Sequence, residues 1–571
     1  MGSFSKLLPK DSLPKWQVAL IVSIPVAFGL GYLYYKCNVS DKQIIVSSKV
    51  VKEKDQTDGT VKKDVEAPKP IKILTPAQEA EKIKNEGNTF FRSGDYNEAI
   101  RCYTEAIAKC PENDTQLKST FFQNRAAAYE RLNDNAKVIE DCTTALSLNK
   151  RYIKAMLRRA KAAERENNLD LALEDLATAC LVDEFRSRDS IAELDRIAKA
   201  TASRDVEEHT SKNVTRLPSR FFIKTYVSTY QHGSALDKLD PKDEVAAKLV
   251  EEFKLIEQAL LSCENIESKC EDLIKKCEEA GQELIKIEIL LLRATYYILS
   301  KQNSKAFVDL EEIINREDVD KRVKVNALIK RGTAHQHQGD NAKREEDFKK
   351  AIEVDENNPD IYHHLGQIHL ILENTSESVD NFRKAAALDP DFPVTVVQHC
   401  YAEFKYAVST RDTDAMLHYL KEFQNILNRF PGNIECLTLY AQVLTERQDY
   451  AEGEKLFNEA IQREPKHAAL LVHKALLLLQ WKAEIEPAKK LIHDALELDN
   501  DCEFAYETIA TIEMQMGNFS KAVEYFNEAI KRFTSLEELY HLFCVRNTSL
   551  AQIRAEERVG RPNFPGSFPN V

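Results

Sequence analysis

The fold is decided by residues 85–111, NEGNTFFRSGDYNEAIRCYTEAIAKCP, in which glycine, aromatic and alanine positions stand at regular offsets. Small residues at such offsets let two short helices approach closely, while large residues fill the seam with the next pair of helices. The positions that carry the pattern are Gly87, Phe90, Gly94, Tyr96, Ala99, Tyr103, Ala106 and Pro111.

The same pattern recurs along the chain with a period of about 34 residues. Two further copies follow the first, and after an irregular stretch the pattern returns in clear and weaker copies. The clear later copies contain Gly332 and Phe348, Gly366 and Phe382, Ala441 and Phe457, and Gly517 and Phe526. This spacing resembles the tetratricopeptide repeat family, which implies an all-α superhelix whose concave wall is lined by the first helix of each unit. Such a scaffold implies binding, not chemistry.

Composition agrees with a long helical array. The chain has 571 residues, too many for one core, and only 16 Gly and 18 Pro interrupt it. Its net charge is −13, but residues 1–70 hold 11 Lys against 7 Asp and Glu, so the rest carries −17. An acidic body argues against nucleic acid, which requires basic surface, and suits basic or amphipathic peptides. The 12 cysteines form no C-x-x-C pair, which favours a reducing compartment.

Residues 16–35, WQVALIVSIPVAFGLGYLYY, contain no charge and are bounded by Lys15 and Lys36. As a helix they would span about 30 Å, the thickness of a bilayer's hydrocarbon core. We therefore predict a transmembrane helix in contact with lipid, in preference to a cleaved signal peptide. Flanking lysines are balanced and do not fix its orientation. Cysteine usage and acidity favour a cytosolic body.

The remaining boundaries follow from the repeats. The predicted segments are a short tail at 1–15, the anchor at 16–35, a flexible linker at 36–76, a three-repeat domain at 77–185, an irregular helical connector at 186–285, a C-terminal repeat array at 286–558 and a tail at 559–571. Within the connector, RLPSRFFIKTY at 216–226 combines a loop signal with an apolar cluster. It is predicted to dock as a lid or spacer, or to be an ordinary linker.

Five donors are predicted to converge on the first helices of the N-terminal repeats. Asn124 and Arg158 are one period apart, while Lys84 and Asn88, like Lys154 and Arg158, share a helix face at a spacing of four. The set resembles the carboxylate clamp of co-chaperones, which grips the acidic C-terminal tail of cytosolic seventy- and ninety-kilodalton heat-shock chaperones. The resemblance implies that Lys84, Asn88 and Asn124 hold the terminal carboxylates, and that Lys154 and Arg158 hold the backbone and an acidic side chain. Equivalent positions elsewhere do not repeat the set; they are Lys330, His364, Leu439 and Thr508.

A second surface is predicted on the first helices of the C-terminal array. It mixes polar, aromatic and acidic side chains, which could admit amphipathic, basic segments; its members are His363, Gln367, Thr438, Gln442, His473, Leu477, Phe504, Glu507 and Thr511. The histidines at 335, 337, 363, 364 and 369 could suggest a metal site. His335 and His369 occupy the same position of adjacent repeats, which is usually an aromatic packing site, so core packing is favoured and metal binding is the minor alternative. The chain lacks G-x-S-x-G, H-E-x-x-H and Walker sequences, so we expect neither an enzyme nor a cofactor.

The order of anchor, linker, three-repeat clamp and longer array resembles the seventy-kilodalton preprotein receptors of the mitochondrial outer-membrane translocase. The likeness implies a single-pass protein with its C-terminal domain in the cytosol, which docks chaperones, binds precursors with internal targeting segments and passes them to the translocase pore. It also implies contact with other translocase subunits. A chaperone-docking receptor on the endoplasmic reticulum is the alternative.

Overall fold

A computed structural model describes residues 75–561, with gaps at 212–216, 231–235, 237–238, 241, 261–264, 373 and 534–535. Every regular element in these residues is helical, which confirms the predicted all-α class. The first seven helices are α1 Pro76–Ser93, α2 Tyr96–Lys109, α3 Thr115–Arg131, α4 Asn135–Leu148, α5 Ile153–Arg165, α6 Leu169–Val182 and α7 Arg188–Ser211.

The short helix α8, Arg220–Ser228, precedes the C-terminal helices. These are α9 Glu244–Ala259, α10 Ile266–Ala280, α11 Glu283–Leu299, α12 Asn303–Asn315, α13 Lys321–His337, α14 Asn341–Val354, α15 Pro359–Ile371, α16 Thr375–Leu388, α17 Pro393–Thr410, α18 Thr413–Arg429, α19 Ile434–Glu446, α20 Tyr450–Arg463, α21 Ala468–Lys482, α22 Ile485–Leu498, α23 Glu503–Gln515, α24 Phe519–Arg532 and α25 Leu536–Val559. Odd-numbered helices, except α7 and α25, are the first helix of their unit.

The turn between the two helices of a unit follows from the repeat pattern. Gly94 closes α1 with φ at 86°, the left-handed region that glycine enters without penalty. Asp95 then caps α2, because its side chain accepts a hydrogen bond from the backbone N–H of Glu98. The Gly-Asp pair thus ends one helix and starts the next.

The recurring small residues permit close helix contact. A Cβ atom at Gly87 would lie 2.9 Å from Cε1 of Tyr103, and one at Gly366 would lie 2.8 Å from Cγ of Phe382. Only a residue without a side chain lets the aromatic ring of the second helix pack on the first at this distance. Because the two helices approach so closely, the rings of Tyr103 and Phe382 are buried between them.

Four units share an ion pair between their helices in which the aspartate is buried, and the repeat pattern did not predict it. In each, an arginine of the first helix donates from Nε and Nη2 to both carboxylate oxygens of an aspartate 16 residues later. Such bidentate pairs fix the geometry of two helices. The pairs are Arg125–Asp141, Arg159–Asp175, Arg293–Asp309 and Arg331–Asp347.

The described chain divides into two compact units, residues 75–204 with 547–561, and residues 205–546. In the second unit α9 and α10 share one hydrophobic cluster with α11 and α12, through residues such as Phe253, Cys270 and Leu310. Part of the predicted connector at 186–285 is therefore packed into the core of the C-terminal unit. The end of α25 belongs to the N-terminal unit, where Arg558 Nη1 lies 2.8 Å from Asp175 Oδ1.

The predicted membrane span at 16–35, with the tail and most of the linker, lies outside the described residues. Within the residues that are described, none of the helices is both long and apolar enough to cross a membrane.

Candidate peptide-binding grooves

The first helices of the three N-terminal units carry the five predicted clamp residues. Lys84 and Asn88 lie on α1, Asn124 on α3, and Lys154 and Arg158 on α5. Asn124 Nδ2 is 3.4 Å from Asn88 Oδ1, so amides of adjacent units meet directly. Asn88 Oδ1 also accepts a hydrogen bond from the Tyr103 hydroxyl at 2.8 Å. These bonds hold the Asn88 oxygen inward, which favours presentation of its amide hydrogens to an acceptor.

Arg158 is held across the neighbouring helix. Its Nε donates to Glu130 Oε2 at 2.8 Å, and its Nη1 lies 3.4 Å from the backbone carbonyl of Gln123. The side chain is only 21% exposed, so its orientation is restricted. Glu130 was missed by the sequence reasoning because it lies on another helix, 28 residues from Arg158.

The two lysines lie at different depths. Lys84 is 15% exposed and its Nζ is 3.3 Å from Glu81 Oε1, one turn away on α1. Lys154 is exposed, one turn from Arg158 on α5. The structure thus brings Asn88 to Asn124 directly and Arg158 to α3, while the lysines flank them by position on α1 and α5.

In the C-terminal unit, three of the predicted groove residues form a row across consecutive first helices. Gln442 Nε2 on α19 is 3.4 Å from the ring nitrogens of His473 on α21. The His473 ring centroid is 5.0 Å from that of Phe504 on α23. Burial lowers the pKa of His473 to about 3, so its ring is neutral and acts as a polar spacer.

The other predicted groove residues differ in accessibility. His363 is buried, with Nδ1 3.0 Å from Thr395 Oγ1, and burial lowers its pKa to about 4. Leu477 is fully buried in the hydrophobic cluster of α17 to α21 and offers no surface to a ligand, which corrects its predicted place in the groove. Partly exposed positions remain at Gln367, Thr438, Phe504, Glu507 and Thr511.

Carboxylates add negative charge to the same helices. Burial raises the pKa of Glu435, Glu503 and Glu507 to about 7 in each case. Glu435 Oε1 accepts a hydrogen bond from Gln398 Nε2 at 2.6 Å, and Glu503 and Glu507 repel each other one turn apart on α23. Sequence reasoning found Glu507 but missed the other two, because their burial depends on neighbouring units.

The two histidines at the same repeat position, His335 and His369, are buried to different extents. The buried His335 ring lies 4.5 Å from that of Phe307, centroid to centroid, which confirms its packing role, and His369 is half-buried. No cluster of three His, Cys, Asp or Glu side chains suited to a metal ion occurs in the part of the chain that the structure describes.

The fold defines a protein of the tetratricopeptide-repeat class, and the predicted site residues lie on the first helices of its units. Tetratricopeptide repeat models match residues 80–113, 325–358, 359–392 and 505–533. The mitochondrial import receptor subunit TOM70 of Homo sapiens is 32% identical over 96% of this chain and 93% of its own length. Its counterpart in Saccharomyces cerevisiae strain YJM789 is 25% identical over 80% of this chain and 77% of its own.

The chain belongs to the TOM70 family of mitochondrial import receptor subunits. Among solved structures, the crystal structure of yeast Tom70 has 24% sequence identity and covers 84% of this chain and 97% of its own, with a TM-score of 0.47.

Proposed function

We propose that this chain is a mitochondrial import receptor with two separate peptide-binding grooves. The N-terminal groove docks the acidic C-terminal tails of cytosolic seventy- and ninety-kilodalton chaperones. The C-terminal groove takes internal targeting segments of precursor proteins, which then pass to the translocase pore. Other translocase subunits are its partners at the membrane, and it performs no enzymatic step.

The meeting of Asn88 and Asn124 across two units carries the chaperone-docking proposal. A free C-terminal carboxylate needs several donors fixed in advance, because one charge-assisted hydrogen bond contributes only about 1.5–3 kcal/mol. Two amides side by side, with Lys84 one turn away, provide such a group. Arg158, already oriented by Glu130, supplies a cation for an acidic side chain.

The C-terminal groove suits a different ligand. Glu435, Glu503 and Glu507 attract cations, while Phe504 supplies an apolar surface beside them. A helix with basic and apolar faces satisfies both features. This chemistry supports precursor segments as its ligands.

Membership of the TOM70 family favours the mitochondrial surface over the endoplasmic reticulum. The uncharged residues 16–35 support a single span in the outer membrane, with the C-terminal domain in the cytosol. The boundaries predicted for the clamp at 77–185 and the array at 286–558 remain part of this proposal.

The clamp is tested with Arg158→Ala in the full chain. We expect affinity for a free-acid peptide ending in Glu-Glu-Val-Asp to fall roughly 10-fold or more, since a pre-oriented cation is lost. Isothermal titration calorimetry measures the affinity. Arg165→Ala is the matched control, because this arginine is exposed on the same helix. Equal affinity of the unmodified chain for the free-acid and the amidated peptide would contradict the clamp.

A further inference from the structure

The short helix α8 lies against the first helices of the C-terminal unit, which form the concave wall of such a superhelix. Ile223 and Tyr226 share one hydrophobic cluster with Leu292, Tyr296 and Leu299 of α11. Tyr226 also lies beneath Lys330 of α13, whose Nζ is 5.4 Å from the tyrosine ring centroid. These contacts come from units far apart in sequence from α8.

The contacts continue along the wall on both sides of α8. Tyr230, after its end, lies with its ring centroid 4.4 Å from that of His364 on α15. The same ring lies under the ammonium of Lys330, whose Nζ is 3.3 Å from the ring centroid. This pairing satisfies a buried cation by a cation–π contact. Residue 230 is therefore a firm anchor.

Polar contacts anchor the other end. Lys224 Nζ is 3.1 Å from Glu464 Oε1, at the end of α20. Ser219, which caps α8 by accepting from the Phe222 N–H, also lies near Glu503 of α23 and partly offsets the rise in the pKa of that carboxyl. Residues 219–230 thus reach from α23 to α15 and touch the carboxylate and histidine regions of the predicted precursor groove.

Helix α8 has the composition of a ligand. It presents basic side chains, Arg220 and Lys224, together with the apolar Phe222, Ile223 and Tyr226. A helix of nine residues is marginal alone, so its stability depends on the wall beneath it. This basic, aromatic segment lies on an acidic wall. It therefore makes the kind of contact with the groove that an incoming basic amphipathic helix would make.

We propose that residues 217–230 are an internal occupant of the C-terminal groove, which an incoming basic amphipathic helix displaces. The proposal rests on precursor binding in this groove and adds a competitor within the chain. A tethered occupant has a high effective concentration, so it weakens the apparent affinity for every ligand by the fraction of time that the groove is closed. The internal occupant would therefore favour ligands whose contacts with the groove are at least as strong as its own.

A reversible tether tests this directly. In the full chain carrying Lys224→Cys and Glu464→Cys, a cleavable bis-maleimide linker fixes α8 to the wall. The linker replaces the ion pair that Lys224 and Glu464 form in the unsubstituted chain. The probe is a synthetic, amidated helical peptide with Lys and Arg on one face and Leu and Phe on the other. We expect the tethered chain to lose at least about ten-fold in affinity and to regain it when the linker is cleaved.

A matched tether controls for chemistry and folding. Lys276→Cys with Glu252→Cys joins α9 and α10 at a similarly exposed ion pair, where Lys276 Nζ is 2.6 Å from Glu252 Oε2. This tether should leave peptide affinity unchanged. The unsubstituted chain, treated with the same linker, controls for reaction at native cysteines.

Hydrogen exchange of the unsubstituted chain gives a second measurement that needs no variant. Backbone amides of residues 222–229 should exchange faster when the peptide saturates the groove, because displacement breaks the helix. Unchanged or slower exchange there, or full affinity in the tethered chain, overturns the displacement while leaving precursor binding intact. A chain that binds no such peptide in any form instead overturns the proposed function of the groove, and the displacement with it.

Discussion

Single carboxyl groups set the charge of the proposed C-terminal groove. Glu503 and Glu507 lie one turn apart on α23, and burial raises the pKa of each to about 7. Burial likewise raises the pKa of Glu435 on α19 to about 7. Near neutral pH these groups are partly protonated, and a bound cation would stabilise their ionised forms. The groove's charge therefore depends on what occupies it.

The binding of a basic peptide should consequently strengthen as pH rises from about 6 to about 8, by roughly three- to ten-fold, as the carboxyls ionise. His363 and His473, with pKa values lowered to about 4 and about 3, stay neutral in this range. Fluorescence anisotropy with a labelled peptide measures the profile. The combined change of Glu435, Glu503 and Glu507 to Gln should flatten it; a steep profile in that variant would assign the dependence to other groups.

Without ligand the same carboxyls affect stability in the opposite direction. Their folded pKa is above the ordinary value of 4.5, so the folded chain keeps protons that the unfolded chain has released. Their contribution to the free energy of unfolding is present below pH 4.5 and falls as pH rises towards about 7. Protons thus stabilise the empty groove, and on the proposed function a cationic ligand would stabilise the ionised carboxylates instead.

At the scale of the element, the repeated arginine–aspartate pairs fix the two helices of a unit. Asp175 of α6 is fully buried and accepts from Arg159 at 2.6 and 2.7 Å, and from Arg558 of α25 at 2.8 Å. Removal of the carboxylate leaves a buried guanidinium without its counter-ion. Such a loss is more costly than the pair's net contribution, because the remaining charge stays desolvated.

Asp175→Ala should therefore destabilise the N-terminal unit by about 3–5 kcal/mol. The matched control is Asp170→Ala on the same helix, where the 58% exposed carboxylate pairs with Arg204 and a loss of less than about 1 kcal/mol is expected. Urea denaturation followed by hydrogen exchange reports on this unit separately, since the chain has two units. Equal effects of both variants would show that burial of the pair contributes little.

For the whole molecule, the local pattern predicted most of the architecture. Spaced residues such as Gly87, Gly366 and Phe382 are sufficient to locate units, because each unit is built from neighbours in sequence. The contacts of α8 could not be predicted from the local repeat pattern. Lys224 and Glu464 are 240 residues apart, and nothing in either segment marks them as partners.

The candidate sites were also predictable from the sequence only in part. Repeat position placed Asn88, Asn124 and Arg158 on the first helices of adjacent units, where the structure shows two of them in contact. In the C-terminal unit the same counting included Leu477, since position in a helix does not reveal which side chains the next unit covers. The partial burial of Glu435 and Glu503 likewise depends on packing between units.

We propose that placement of the receptor at one membrane depends on residues 16–35. We expect a fluorescent protein fused after residues 1–70 to label mitochondria and to resist alkaline extraction. Ile24→Arg with Phe28→Arg should make the fusion extractable, because an arginine near the bilayer centre costs about 2.5–3.5 kcal/mol. Val51→Arg, outside the predicted span, is the control and should stay membrane-bound. Labelling of the endoplasmic reticulum would instead support a chaperone-docking receptor on that membrane, since the sequence of the span alone suits either bilayer.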